Sequence, residues 1–252
     1  MSASASIVGS QAGPDPVPRL LELRRRLAAA VAGAGRPQDS VALVAVGKTF
    51  SAPVLARTAL AGQERFGENY VQEALPKIGE LRALVGSRPL EWHFLGPIQA
   101  NKTRAIAEHF DWVHSVDRLR VAERLSAQRP AGLPRLETLI EVRLDEEPGK
   151  GGVAPEEALL LGAAMAGLPG LRLRGLMAIP RPRSDPGGQR ESFARMPPLL
   201  ARLREAVRAQ AGEACAQAVD TLSMGMSADF EAAIHEGATI VRIGSAIFGE
   251  RR

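Results

Sequence analysis

A chain of 252 residues, 45% hydrophobic and 24% charged, has room for one large α/β barrel or two small domains and the make-up of an ordinary globular protein. Its net charge is only +4, its arginines are scattered over helical segments and aromatics reach just 4%, which argues against a nucleic-acid-binding face. One cysteine, Cys215, excludes an internal disulfide framework, and no run of about 18 apolar residues suggests a membrane span, so a cytoplasmic protein is expected.

Residues 1–17 are rich in Ser, Ala, Gly and Pro and lack the pattern of a signal peptide; they read as a flexible leader before one domain over 18–252. A helix is predicted over 18–34, with Leu20, Leu23, Leu27 and Val31 on one face and Gly33, Gly35 and Pro37 to stop it. The apolar run 41–46 reads as a strand buried on both faces, the pattern of a parallel sheet. Ser51 is the expected N-cap of the next helix, with Pro53 in its first turn. Residues 65–67 form a short second strand, followed by a helix carrying Tyr70, Val71, Ala74, Leu75 and Ile78. Strand three is expected at 91–96 with a helix at 102–109, and strand four at 112–116 with a helix at 119–128. Strand five at 137–144 leads through an acidic, Gly-rich loop to a helix with Pro155 near its start. After strand six, at 173–179, a polar loop to Gln189 precedes one long helix ending near Ala211. Strand seven is expected at 220–224, with Ser227 capping a helix over 228–236, and strand eight at 239–243.

Eight strands alternating with helices, after one leading helix, argue for a single (β/α)8 TIM-type barrel. Such barrels keep their chemistry on the loops after the strands' C-terminal ends. Lys48, Asn69, residues 93–99, 177–180, 223–227 and 244–245 would then converge on one mouth.

Lysine is scarce in this chain: Lys48, Lys77, Lys102 and Lys150 are all it has, against many arginines. A lysine at the end of strand one either closes the strand against solvent or supplies an amine, which can attack an aldehyde where guanidinium cannot. After strand eight, Gly244-Ser245 offers a small-residue turn with a hydroxyl, and Ser223-Met224-Gly225-Met226-Ser227 follows strand seven. Turns after strands seven and eight are the usual phosphate corner of this barrel, although either could be an ordinary connection. Arg242 stands on strand eight, facing either an aromatic ring nitrogen in the mouth or a strand carboxylate such as Glu141. An amine, a phosphate cradle and a guanidinium donor together match the requirements of pyridoxal 5′-phosphate.

Five blocks carry a resemblance: residues 66–73 (FGENYVQE), 92–102 (WHFLGPIQ with Asn101-Lys102), 175–180 (GLMAIP), 222–227 (LSMGMS) and 241–249 (VRIGSAIFG). In this order they resemble the YggS/PROSC family of pyridoxal phosphate homeostasis proteins over roughly residues 41–250. The resemblance implies a fold like the barrel of alanine racemase, of fold-type III, without that enzyme's C-terminal β domain. It implies that Lys48 is the Schiff-base lysine and that Arg242 faces the pyridine nitrogen. Ser227, Gly244 and Ser245 would hold the phosphate, Asn69 would lie near the ring and Met224 would line the pocket. No catalytic residue and no metal site is expected, and His109 and His114 lack metal-ligand spacing. Gly47 and Phe50 depart from the family pattern, which usually has Ser before the lysine and often a basic residue two positions after it.

A fold-type III racemase needs a second base, usually a tyrosine from a β-rich domain, and this sequence carries only Tyr70. The expectation is therefore a monomeric binding protein that stores or delivers pyridoxal phosphate to apo-enzymes, without nucleic-acid or membrane partners. The alternative is a weak pyridoxal phosphate-dependent amino-acid racemase using His93 or a water, with a cofactor-free Schiff-base aldolase further off. Lys150 has either a secondary cofactor-handling role or the role of a solvated loop charge.

Overall fold

The structure, a computed structural model, describes residues 15–145 and 151–249. Lys150 and residues 1–14 of the expected leader therefore lie outside the described residues. Eight parallel strands close into a barrel in chain order, β1 (Ala42–Val46), β2 (Arg65–Glu68), β3 (Glu91–Phe94), β4 (Trp112–Val116), β5 (Leu136–Val142), β6 (Leu171–Ala178), β7 (Thr221–Ser223) and β8 (Ile240–Ile243). The ring shuts where Val44 pairs with Arg242 and Ala45 with Ile243, so strand one and strand eight are neighbours. Closure removes every sheet edge, and this is a (β/α)8 TIM barrel.

The helices are α1 (Val17–Gly33), α2 (Ala52–Leu60), α3 (Val71–Val85), α4 (Thr103–His109), α5 (Leu119–Gln128), α6 (Pro155–Met165), α7 (Pro186–Ala194), α8 (Met196–Ala211), α9 (Glu213–Gln217), α10 (Phe230–His235) and α11 (Ser245–Phe248). Leu20, Leu23, Leu27 and Val31 of α1 are buried at helical spacing, as the periodicity predicts. Most of the core lies between helices and strands, where Leu55, Phe66, Trp92, Leu125 and Phe230 are among the fully covered side chains. Inside the barrel a smaller apolar layer consists of Val44, Trp112, Leu139, Met177 and Ile240, contributed by five different strands. That layer plugs the interior below the mouth.

Three local expectations are corrected. The long helix before strand seven is two helices, α7 and α8, joined at Arg195, because Pro197 and Pro198 suit only a first turn. Ser51 occupies the N-cap position of α2, but its side chain makes no capping bond. Asp229, not Ser227, precedes α10, and its carboxylate accepts from Met226 N–H at 2.6 Å. That leaves the Ser227 hydroxyl available to a different partner.

Candidate functional site

The C-terminal ends of the strands surround a cavity of about 480 Å³ lined by Lys48, Asn69, Ser227, Arg242, Gly244 and Ser245, with apolar walls that include Phe50 and Met226. Six of the seven expected site residues thus meet at one mouth. Met224 does not join them. It is fully buried in the helix–strand core, its N–H bound to Ile240 O, and Gly225 at φ +94° turns the chain so that Met226 faces the cavity instead.

Lys48 follows β1 in a tight turn in which Phe50 N–H donates to Gly47 O at 3.0 Å. Thr49 adopts φ +72°, unusual for a β-branched residue, and strain of this kind gathers at functional sites. The turn is braced from behind: Lys77 Nζ, buried on α3, donates to Gly47 O at 2.9 Å and to Glu68 Oε1 at 2.6 Å. Among the described residues, Glu68 Oε2 has no hydrogen-bond partner. Burial pushes the Glu68 carboxyl above its ordinary value, against the pull of Lys77 and, more weakly, of Lys48.

Gly47 and Phe50, on either side of the Lys48 turn, have distinct packing roles. A Cβ on Gly47 would come 2.7 Å from Leu55 Cδ2 and 3.2 Å from Glu68 Oε1, so glycine lets α2 and the buried carboxylate close on the strand end. Phe50 packs on Phe248 with ring centroids 5.1 Å apart, giving the cavity an uncharged aromatic wall.

On the opposite side, Ser245 Oγ donates to Ser227 Oγ at 3.0 Å, and Ala246 N–H donates to the same oxygen at 3.3 Å. This ties the turn after β7 to the opening turn of α11, whose first amides have no acceptor within their own helix. With both bonds ending on Ser227 Oγ, the Ser227 hydroxyl hydrogen is left for an oxyanion, and turning the Ser245 hydroxyl away from Ser227 would supply a second donor.

Arg242 is buried, its Nη1 donating to Ser223 Oγ at 2.6 Å and its Nη2 to Ala178 O at 3.1 Å. Burial lowers its pKa to about 10 while Asp229 and Glu141 support the charge, so it is cationic at neutral pH. Glu141 acts through space; the bonded partners are a hydroxyl and a carbonyl. Sequence reasoning placed Ser223 and His93 near the mouth but missed that Ser223 bonds Arg242 and that His114 and His93 line up behind it. His114 Nδ1 lies 2.9 Å from Ser223 Oγ, His114 Nε2 lies 2.9 Å from His93 Nδ1, and His93 Nε2 lies 2.9 Å from Glu91 Oε1. Burial lowers both histidines' pKa values; Glu91 opposes this at His93, whereas His93 and Arg242 add to it at His114. The missed signal is the two-residue period of the strands: Glu91 with His93, and Trp112 with His114, share an inward face.

The family described as alanine racemase, N-terminal domain, matches residues 20–252. The pyridoxal phosphate homeostasis protein of Pseudomonas aeruginosa is 51% identical over 232 residues, covering 92% of this chain and 94% of that protein. The chain belongs to the pyridoxal phosphate homeostasis protein family. Its Escherichia coli K12 member is 48% identical over 92% of this chain and 95% of its own length. Among solved structures, PipY of Synechococcus elongatus with PLP bound superposes with a TM-score of 0.78 at 34% identity, covering 93% of this chain and all of that one. The family barrel and the eight-stranded barrel seen here are one architecture. Among the described residues no group of His, Cys, Asp and Glu could hold a metal ion, and no helix is long and apolar enough to cross a membrane.

Proposed function

We propose that this chain binds pyridoxal 5′-phosphate in the cavity and holds it covalently through Lys48 as a Schiff base. On this reading it is a carrier in pyridoxal phosphate homeostasis, not a catalyst. The observation that carries the reading is the meeting of Lys48, the Ser227–Ser245 corner and Arg242 in one cavity of about 480 Å³. That volume lies in the range of small-molecule sites. The family name and the PLP-bound state of PipY support the same cofactor.

When bound, the cofactor supplies a reactive aldehyde. Lys48 would hold that aldehyde through its amine, the one side chain of the cavity lining able to form a Schiff base. Ser227 and Ser245 orient the phosphate, and Gly244 keeps the backbone there close to β1. Arg242, cationic and hydrogen-bonded on two sides, keeps its protons and would leave a pyridine nitrogen placed against it unprotonated. An unprotonated ring is a weak electron sink, which favours holding an aldehyde over carbanion chemistry. The racemase reading has little support: His93 is fully buried with both ring nitrogens engaged, and Tyr70 lies exposed ahead of α3, outside the cavity lining. The carrier reading includes a cytoplasmic monomer that delivers to pyridoxal phosphate-dependent apo-enzymes.

The test is the visible absorbance of the protein mixed with pyridoxal phosphate, before and after borohydride, for the parent and for Lys48→Ala. A reducible band in the parent that is absent from the variant is the expected result. A band that survives in Lys48→Ala removes Lys48 as the anchor. Saturable, Lys48-dependent racemisation of an amino acid would overturn the carrier reading.

A further inference from the structure

A line of side chains crosses the barrel interior from the cavity to the far end of the sheet. Arg242 on β8 bonds to Ser223 on β7, Ser223 contacts His114 on β4, His114 contacts His93 on β3, and His93 contacts Glu91 two residues earlier. Ser223, His93 and His114 are fully buried, and the Trp112 ring stacks on His93 at 5.5 Å with planes 14° apart. Glu91 also accepts from Arg65 Nε at 3.0 Å and lines a second cavity of about 400 Å³ with Arg65, Asp111, Trp112, Arg129 and Glu137.

The direction of these bonds follows from donor and acceptor chemistry alone. A carboxylate only accepts, so His93 Nε2 carries the hydrogen and its Nδ1, in a neutral ring, is an acceptor. His114 Nε2 must therefore donate, which leaves His114 Nδ1 as an acceptor for the Ser223 hydroxyl. Ser223 Oγ keeps its lone pairs for Arg242 Nη1. One proton arrangement satisfies every atom, and the charge of Glu91 selects it. In the reverse arrangement both ring hydrogens sit on Nδ1, the Ser223 hydrogen needs another acceptor and His93 Nε2 faces a carboxylate without a proton between them.

We propose that Glu91, His93, His114 and Ser223 act as positioning residues, a one-directional hydrogen-bond rail that locks the Ser223 hydroxyl and so holds Arg242 aimed into the cavity. The effect of the rail on bound pyridoxal phosphate rests on the proposed function; the proton arrangement does not. Glu91 thereby reaches the site from the opposite end of the barrel without touching it.

Nitrogen-15 NMR of the histidine rings in ligand-free protein tests the rail first. Both His93 and His114 carry the hydrogen on Nε2 in the parent; a hydrogen on Nδ1 of either one overturns the proposal and needs no variant to be seen. Glu91→Leu removes the acceptor that selects the direction, so His114, one residue beyond the substituted contact, changes its tautomer population along with His93. A change confined to His93 refutes a connected rail. Pyridoxal phosphate titration then tests the link to the site. Ser223→Ala is expected to weaken binding roughly tenfold and shift the visible band, with recovery in Ser223→Thr, since losing a hydrogen bond to a charged group is worth about a factor of ten. Parent-like affinity and band in Ser223→Ala would show that Arg242 does not need the rail. If the parent takes up no pyridoxal phosphate, the functional reading fails, while the two ring tautomers still decide whether the rail exists.

Discussion

Two buried polar clusters flank the cavity, and each supports one of its cations by different physics. Behind Lys48, the Glu68–Lys77 pair is a contact of opposite charges at 2.6 Å in which one carboxylate oxygen has no hydrogen-bond partner among the described residues. Behind Arg242, the Ser223–His114–His93 chain is uncharged until it reaches Glu91, and each of its side-chain polar atoms is engaged. A charged pair is held by mutual compensation, so removing one member leaves a buried charge. A neutral chain is held by matched donors and acceptors, so it fails when a proton is added.

Breaking the charged pair should give the largest loss of stability. Lys77→Met strands the Glu68 carboxylate, which is fully buried, and should cost about 3–5 kcal/mol in urea unfolding. Burial already raises the Glu68 pKa, so the variant escapes part of the cost by taking up a proton and its deficit shrinks toward acid pH. Glu68→Gln combined with Lys77→Met should recover most of the stability. A double variant no better than Lys77→Met would mean that Lys77 acts through Gly47 O rather than through charge.

The neutral chain should respond to pH instead. His93 and His114 have folded pKa values below the ordinary 6.5, so below that pH the unfolded chain binds more protons than the folded one. Stability is complete above about pH 6.5 and is lost as pH falls from there through the folded values. Each histidine contributes a slope of up to about 1.4 kcal/mol per pH unit. Glu68, Asp111, Glu137, Glu141 and Asp229, whose pKa values burial raises, act with the opposite sign, so the histidine contribution is read as the difference between the parent and a His93→Gln, His114→Gln variant over the same pH range. Melting temperatures of the parent and that variant that run parallel from pH 7 to 5.5 would contradict the buried neutral pair.

The two clusters also differ in how far the sequence reveals them. The strand ends that build the mouth are legible because apolar runs and turn residues are local signals: the spans predicted for strand four and the following helix coincide with β4 and α5. Lys48, Asn69, Ser227, Gly244 and Ser245 follow from their places after those strands and Arg242 from its place near the end of strand eight, strengthened by the family blocks. Met224 and Met226 could not be separated, because the positive φ of Gly225 sets which of them faces inward. Ser227 reads as a cap from its position before a helical run, yet Asp229 lies closer to that helix and Ser227 bonds across to Ser245. His93, His114 and Ser223 come from three strands, 21 and 109 residues apart along their contacts, and pairing across a barrel interior leaves no local pattern. Lys77 reads as an ordinary helix lysine; only the approach of α3 to Gly47 makes it a brace.

The Ser227–Ser245 corner belongs to neither cluster, and this makes it the control for both. Ser245 is exposed, and its hydroxyl bonds only to Ser227 among the contacts described, so Ser245→Ala should change unfolding stability by no more than about 0.5 kcal/mol. Its effect should appear in binding, where losing one donor to a phosphate is worth roughly three- to tenfold in affinity. Pyridoxal without its phosphate offers nothing for that hydroxyl to hold, so its affinity should be equal in the parent and in Ser245→Ala. Ser227→Ala should cost more than Ser245→Ala, because Ser227 Oγ accepts from both Ser245 Oγ and Ala246 N–H and fixes the geometry of the whole corner. Equal losses for pyridoxal and its phosphate would move the phosphate away from this corner, while leaving untouched the contrast between the charged brace behind Lys48 and the neutral rail behind Arg242.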